Sequence, residues 1–405
     1  MFVYFKHNQK GEFMMKKILV LTLVSLFMIS LIGCGSEEEN IIKNTISSRA
    51  YKGHENDKDS NNICNAYPAI VGTRLDDCQT CHVGKMDTVK NEQTANVCDN
   101  CHELMVYGTE KGHTFAETLN AYGTDYFKNG RTLDAIEKIK SLDSDGDSFA
   151  NDKEIKELKY PGSNLSKPGQ PNVTMVTLSL EKMQAMTANE LFMLANTSKQ
   201  QFDDYVSYKG VTVKNLLSTL GIDTTGVTGV SFIAPDGFVK TIKIDQVNKS
   251  FPKGLFYSGL DVKTLGAECG FVNYAENTPA GLTNGGTIPD DPWLMIAYNR
   301  DGKLMDPCYL DAVQLKLNGE GPFRLIVPQS TVGSPDRGQG FSPSKCNDGF
   351  DYDSKKDHNA GSMVRGVMAI RVDPMPAGVE EFDYKNGGWA YINSKELLIY
   401  GHNVK

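Results

Sequence analysis

Three things are missing from this 405-residue chain, and each absence removes a class of function. There is no apolar run long enough to cross a membrane as a helix: the longest, Ile18 to Ile32, is short and soon meets Ser36-Glu37-Glu38-Glu39. There is no basic excess, since 42 Lys and Arg stand against 50 Asp and Glu for a net charge of −8, which argues against a nucleic-acid partner. There is also no phosphate loop, nucleophile elbow or basic nucleic-acid patch anywhere in the chain. Cysteine is scarce in the second half, where only Cys269, Cys308 and Cys346 of the nine occur. A hydrophobic content of 40% is nevertheless enough for packed cores, and the length fits two or three domains.

What is present is concentrated early. Cys78-Gln-Thr-Cys81-His82 and Cys98-Asp-Asn-Cys101-His102 both read C-x-x-C-H, the attachment pattern of a c-type haem. Two thiols three positions apart can each form a thioether to a porphyrin vinyl group. The adjacent histidine, His82 or His102, is then the proximal iron ligand. Two motifs so close in sequence imply two neighbouring haems. Without the histidines, the same four cysteines also fit a tetrahedral zinc site. A histidine directly after each pair, and export of the chain, favour haem.

Export is read from the N-terminus. Met14-Met15-Lys16-Lys17 followed by the short apolar run forms a signal peptide over 1–33. It ends in Leu31-Ile32-Gly33-Cys34, which resembles the bacterial lipoprotein box and makes Cys34 the lipidated first residue. Cleavage there removes four lysines and one glutamate, so the mature chain is still more acidic and suits a redox partner with a basic docking patch. The expected location is the bacterial cell envelope, lipid-anchored, in the periplasm or at the outer-membrane surface. Residues 34–62 are polar and read as a tether. His54 in that stretch and His113 in Lys111-Gly112-His113-Thr114 are the candidate distal haem ligands, with Met86 and Met105 as thioether alternatives.

Residues 63–160 read as a small, mainly α, dihaem cytochrome domain. Apolar residues at helical spacing from Phe115 to Leu142 predict two short helices broken near Lys128-Asn129-Gly130. Next comes a twelve-residue loop, 143–154, with the EF-hand ligand order for calcium. Its donors are Asp143, Asp145, Asp147, the Phe149 carbonyl, Asn151 and Glu154, and it resembles the single calcium loops of dockerin and thrombospondin-type segments. Ser148 stands where the pattern has glycine, with Gly146 nearby as a turn former. A structural calcium bracing the haem domain is the expectation.

The Pro/Gly/Ser cluster 161–171 marks a linker. Residues 172–405 change character, with expected strands at Val173–Leu180, Val230–Ala234, Val239–Ile244, Leu294–Tyr298 and Phe323–Val327. The segment from Tyr208 is expected to turn and then form a short helix closed by Gly221. The overall class is multidomain, an α cytochrome domain followed by an α+β, strand-rich domain.

Several motifs in this second domain are similar to the molybdopterin-binding domain of sulfite-oxidase-like enzymes. They are Trp293-Leu-Met-Ile-Ala-Tyr298, Asp301-Gly302, Asn318-Gly-Glu-Gly-Pro-Phe-Arg324-Leu-Ile-Val-Pro328, and Tyr208-x-Gly-Val-x-Val-x-x-Leu-Leu217 with the later Pro235-Asp-Gly turn. The resemblance implies that fold over roughly 172–330, continued by the tail, and makes Arg324 a candidate pterin-phosphate contact. It also implies a metal-binding cysteine just before the Tyr-x-Gly motif. Here that stretch, Leu194 to Asp204, has none, and a hydroxyl of Thr197 or Ser198 is a poor replacement for a thiolate.

The remaining cysteines, Cys64, Cys269, Cys308 and Cys346, allow up to two disulfides, with Cys308–Cys346 or Cys269 with either as staples of long loops. A metal thiolate from Cys308 is the other option. His358 and His402 read as surface or capping residues, with His402 also a candidate to reach a haem, and Asp351, Asp353 and Asp357 as weak cation candidates. The function expected is a membrane-anchored dihaem cytochrome transferring electrons to envelope redox partners, its second domain without molybdenum chemistry. The alternative is a molybdopterin-dependent oxidoreductase passing electrons from a small substrate to its own haems.

Overall fold

The computed structural model describes residues 58–87, 92–97, 114–310, 317–386 and 388–405. Cys34, His54, Cys98, Cys101, His102, Met105 and His113 lie outside them. The described residues belong to one compact unit with mixed helix and sheet. Among the described residues no helix is long and apolar enough to cross a membrane.

The helical part has its own small core. The helix Lys58–Ala66 begins inside the stretch read as tether, because Ile63 packs inward while Asn62 and Asp59 hydrogen-bond the Tyr126 hydroxyl. The two expected helices are Ala121–Lys128 and Leu133–Ile139, capped by the side chains of Asn120 and Thr132. Gly130 takes φ +96° in the break between them, a conformation that favours glycine. Tyr122, Tyr126, Ala135, Ile136 and Ile139 bury their side chains against Ile63, Ile70, Leu75, Ile155 and Tyr160.

The remainder contains two larger sheets. One orders Met175–Ser179, Glu396–Gly401, Ala369–Asp373, Gly229–Ile233 and Val239–Lys243, with the 369–373 and 396–401 strands parallel. The other orders Lys303–Leu304, Met295–Arg300, Asp203–Thr212 and Asn189–Ala195, with Arg324–Ile326 and Val272–Tyr274 paired to its inner strands. A shared core of Val206, Tyr208, Val211, Phe232, Ile296, Phe323, Ile370 and Ile399 fills the space between them.

One sequence expectation changes here. Tyr208–Val211 is not a turn but the middle of the ten-residue strand Asp203–Thr212. A Cβ on Gly210 would sit 2.1 Å from the Ile296 carbonyl oxygen and 2.5 Å from Ala297 Cα, beside a register shift between Ala297 and Asn299. The glycine is there because the neighbouring strand crosses too close for a side chain, so a residue read as a turn signal is a sheet-packing device. The helix Val213–Thr219 and Gly221 at φ +67° follow as expected.

Candidate haem-attachment and cation sites

Cys78 opens a tight 3₁₀ turn, Cys78–Thr80, capped by the Asp77 carboxylate, which accepts from the Gln79 N–H at 3.2 Å. The Cys81 and His82 amides both return to the Cys78 carbonyl, at 3.1 and 2.9 Å. The turn is clamped from outside. Asn120 donates to the carbonyls of Gln79 and Thr80 at 2.9 and 3.1 Å, and its own N–H donates to the Cys81 carbonyl. Gly123 lets the helix Ala121–Lys128 lie directly on Cys81, since a Cβ would fall 2.1 Å from the Cys81 oxygen.

His82 has a defined tautomer. Its Nδ1 is 3.1 Å from the Thr118 carbonyl and 3.0 Å from Thr118 Oγ1. That hydroxyl donates its own proton to the Phe115 carbonyl at 2.7 Å. Both neighbours of Nδ1 can therefore only accept, and Nδ1 carries the proton. Nε2 is then the nitrogen through which such a histidine ligates a metal, with the carbonyl partner raising its basicity. Phe115 packs edge-on to the ring at 5.6 Å. Cys78 and Cys81 are not in a disulfide. A pair of thiols on one turn, followed by an Nδ1-protonated histidine, fits c-type haem attachment.

The second feature is the 143–154 loop. Carboxylate oxygens of Asp143, Asp145 and Asp147 lie within 4.8 Å of one another. Asp143 shapes the loop by accepting from the amides of Gly146, Asp147 and Ser148. Ser148 adopts φ +81° at the position where the EF-hand pattern has glycine, and Gly146 φ +78° two residues earlier. Glu154 is fully buried, and neither of its carboxylate oxygens has a hydrogen-bond partner. Asp145 Oδ2 and Asp147 Oδ2 are likewise buried without one. The half-exposed Lys167 ammonium lies 3.8 Å from Asp147 Oδ2.

Crowded acids of this kind hold their protons. Burial, with the charges of Asp145, Asp147 and Asp143, pushes Glu154 up to about 9. Burial and Asp147 push Asp145 up to about 6. A hard cation coordinated by these oxygens reverses both effects. Asn151 is placed differently from the other five donors. Its amide is buried, donating to the Ile139 carbonyl at 2.8 Å and to Ser144 Oγ at 2.9 Å, while its oxygen accepts from Ser144 N–H at 3.3 Å.

The residues that suggested a pterin-binding domain make structural contacts. Arg324 is buried against Glu320, at 2.7 Å, with its guanidinium 5.7 Å from the Tyr208 ring centre. The Thr197 amide donates to buried Asp203 at 2.8 Å, and Ser198 accepts from the Gln339 N–H at 2.9 Å. Burial pushes Asp203 up to about 8. Asn196 donates to buried Asp336, whose other oxygen accepts from the Asp353 amide and lies 3.3 Å from His358 Nε2. Among the described residues no cysteine bonds to this network, and those present do not fit a molybdenum pterin.

The cysteines resolve one open choice. Cys269 pairs with Cys346, while Cys64 and Cys308 are free thiols. Cys64 Sγ lies 3.7 Å from Asp76. Burial pushes the Cys308 thiol up to about 12, so it is a neutral packing residue and no ready metal thiolate. His358 is packed rather than at the surface, stacked on Tyr352 at 5.0 Å, and His402 faces the Thr225 carbonyl at 3.2 Å. Asp351, Asp353 and Asp357 cap turns by accepting from the amides of Ser344, Lys355 and Ser330.

Sequence reading missed the buried ion cluster that joins the helical part to the sheets. Arg74, four residues before Cys78, bridges Glu380 at 2.7 Å and Asp383 at 2.6 Å. Lys159 also pairs with Glu380, Ser166 donates to it at 2.6 Å, and the Tyr160 hydroxyl reaches Asp383 at 3.1 Å. Only unusual polar density near Pro171 and Glu380 could have hinted at it. No family model matches the chain, and comparison with curated proteins and with solved structures gives no match.

Proposed function

We propose that this chain is a membrane-anchored, dihaem c-type cytochrome that transfers electrons in the bacterial cell envelope. The observation that supports it most is the clamped Cys78–His82 turn, with the His82 Nδ1 proton directed to Thr118. When attached, c-type haem supplies one-electron chemistry at its iron. Cys78 and Cys81 would hold the porphyrin edge and His82 would be the proximal ligand, with Cys98, Cys101 and His102 holding the second group. The hydrogen bond from His82 Nδ1 to Thr118 would orient the imidazole and raise the basicity of Nε2 toward the iron it would ligate. Cys34 would carry the lipid anchor, and redox proteins of the envelope would be the partners.

The sulfite-oxidase-like domain has a structural role in this reading. Its candidate metal-ligand stretch is tied up by Asp203, Asp336 and Asn359, and its arginine by Glu320.

The test is metal analysis and visible spectroscopy of the mature protein, made in a host that matures both c-type haem and molybdopterin. Two irons per chain, haem that stays bound on denaturation, and no molybdenum or tungsten are expected. Zinc without iron overturns the electron carrier. Stoichiometric molybdenum or tungsten replaces it with the oxidoreductase reading.

A further inference from the structure

We propose that a calcium ion held by Asp143, Asp145, Asp147 and Glu154 locks the Cys78 segment to the sheet part through the Lys159–Tyr160 corner. The site stands on more than an acidic cluster. Glu154 is fully buried with neither oxygen hydrogen-bonded, and buried oxygens of Asp145 and Asp147 in the same loop also lack hydrogen-bond partners. Buried carboxylates are normally paired or coordinate a metal. An all-oxygen donor set selects a hard cation, and the loop order suits calcium rather than a transition metal.

The mechanical link is short. Glu154 sits in the helix Asn151–Lys156, and its carbonyl accepts from the Lys159 amide at 2.8 Å. Lys159 then reaches the Gln170 carbonyl at 2.7 Å and the carboxylate of Glu380. Tyr160, the next residue, accepts Arg74 over its ring at 4.4 Å and donates to the Arg74 carbonyl at 3.1 Å. Arg74 completes the path to the sheet part through Glu380 and Asp383. Thr80 inside the attachment turn is hydrogen-bonded to the Leu75 carbonyl at 2.8 Å, so the Arg74 end and the Cys78 turn move together. Drawing Glu154 onto a cation fixes the helix, and the helix fixes the corner five residues on. The exposed Lys167 ammonium near Asp147 is only a weak surface partner that a divalent ion displaces.

This coupling does not rest on the haem assignment, because every residue in the path is protein. The test uses the mature full-length protein stripped of divalent ions. Calorimetric titration with calcium chloride gives the affinity, and hydrogen exchange of peptides covering 157–171 and 70–80 reports the corner. Saturating calcium, at about 100 times Kd, is expected to slow exchange in both peptides by up to about 100-fold, leaving the 229–243 hairpin unchanged. Asp145→Asn and Glu154→Gln are expected to abolish the effect. Asp145→Asn keeps the loop hydrogen bond to the Asp147 amide and serves if Glu154→Gln does not fold. Linkage requires reciprocity, so Lys159→Met must weaken calcium binding by the factor through which calcium holds the corner. No binding up to about 1 mM, the weak end of protein calcium sites, overturns the site. Protection confined to 143–154, or an unchanged affinity in Lys159→Met, overturns the lock.

Discussion

Lys159 and Glu380 form a buried ion pair across 221 residues of sequence, with both side chains almost inaccessible. Glu380 also accepts from Arg74 and Ser166, and although burial alone would raise it, these partners hold its carboxyl below the usual range. The group is therefore an anion at neutral pH, shared by two buried cations whose further partners are Asp383 and the Tyr160 ring for Arg74 and the Gln170 carbonyl for Lys159.

Glu380→Gln leaves Arg74 and Lys159 buried with one carboxylate fewer. Removing one side of a buried ion pair costs about 3–5 kcal/mol, because the stranded charge keeps its desolvation penalty. The variant should unfold at a markedly lower urea midpoint with an unchanged slope. A shift equivalent to less than about 1 kcal/mol, typical of an exposed pair, would show that the cluster is wetter than the structure indicates.

Gly210→Ala tests the strand crossing. The added methyl meets the Ile296 carbonyl and Ala297 Cα inside the strand pair, where backbone atoms cannot move aside alone. Destabilisation of about 1–3 kcal/mol is expected from overpacking. Equilibrium unfolding of the purified variant measures it. Wild-type stability would mean that the sheet relaxes there at no cost.

Legibility in the sequence followed locality. The hairpin at 229–243 was readable because two short runs rich in β-branched and aromatic residues flank the Pro235-Asp236-Gly237 turn. So was the helix pair interrupted at Gly130, through its spacing and its break. The strands Ala369–Asp373 and Glu396–Gly401 were not read. They lie inside a sheet as a parallel pair, and Leu397, Leu398, Ile399 and Tyr400 are all buried, so no alternation marks them. Gly210 was misread because close backbone approach and a turn leave the same letter in the chain. At the sites, ligand spacing within Cys78–His82 and Asp143–Glu154 is local and legible. The Thr118 acceptor for His82 and the Glu380 anchor for Arg74 are tertiary and leave no spacing signal.

The distal ligands can be separated by substitution. His113→Ala is expected to convert one of the haems to a high-spin spectrum, with covalent attachment retained at both motifs. Absorption and electron paramagnetic resonance spectra of the ferric protein give the answer. An unchanged low-spin spectrum removes His113 and turns attention to His54, whose replacement is then the next measurement.

Chelation should destabilise the protein more as pH rises. Without a cation, Glu154 is pushed up to about 9 and Asp145 up to about 6. In an unfolded chain both titrate near 4. The folded chain thus binds these protons more tightly than the unfolded one. That contribution is fully present below about pH 4, and it is lost in stages as pH climbs through about 6 and then about 9. Bound calcium replaces the protons as the counter-charge, so the loaded protein should lose little stability over the same range. Urea midpoints at about pH 5.5, 7 and 8.5, each with excess chelator or excess calcium, should therefore converge at the acid end and separate toward the alkaline end. Parallel curves would mean that the Glu154 carboxylate is solvated in the calcium-free protein, and the buried, partnerless geometry of the loop would then be wrong.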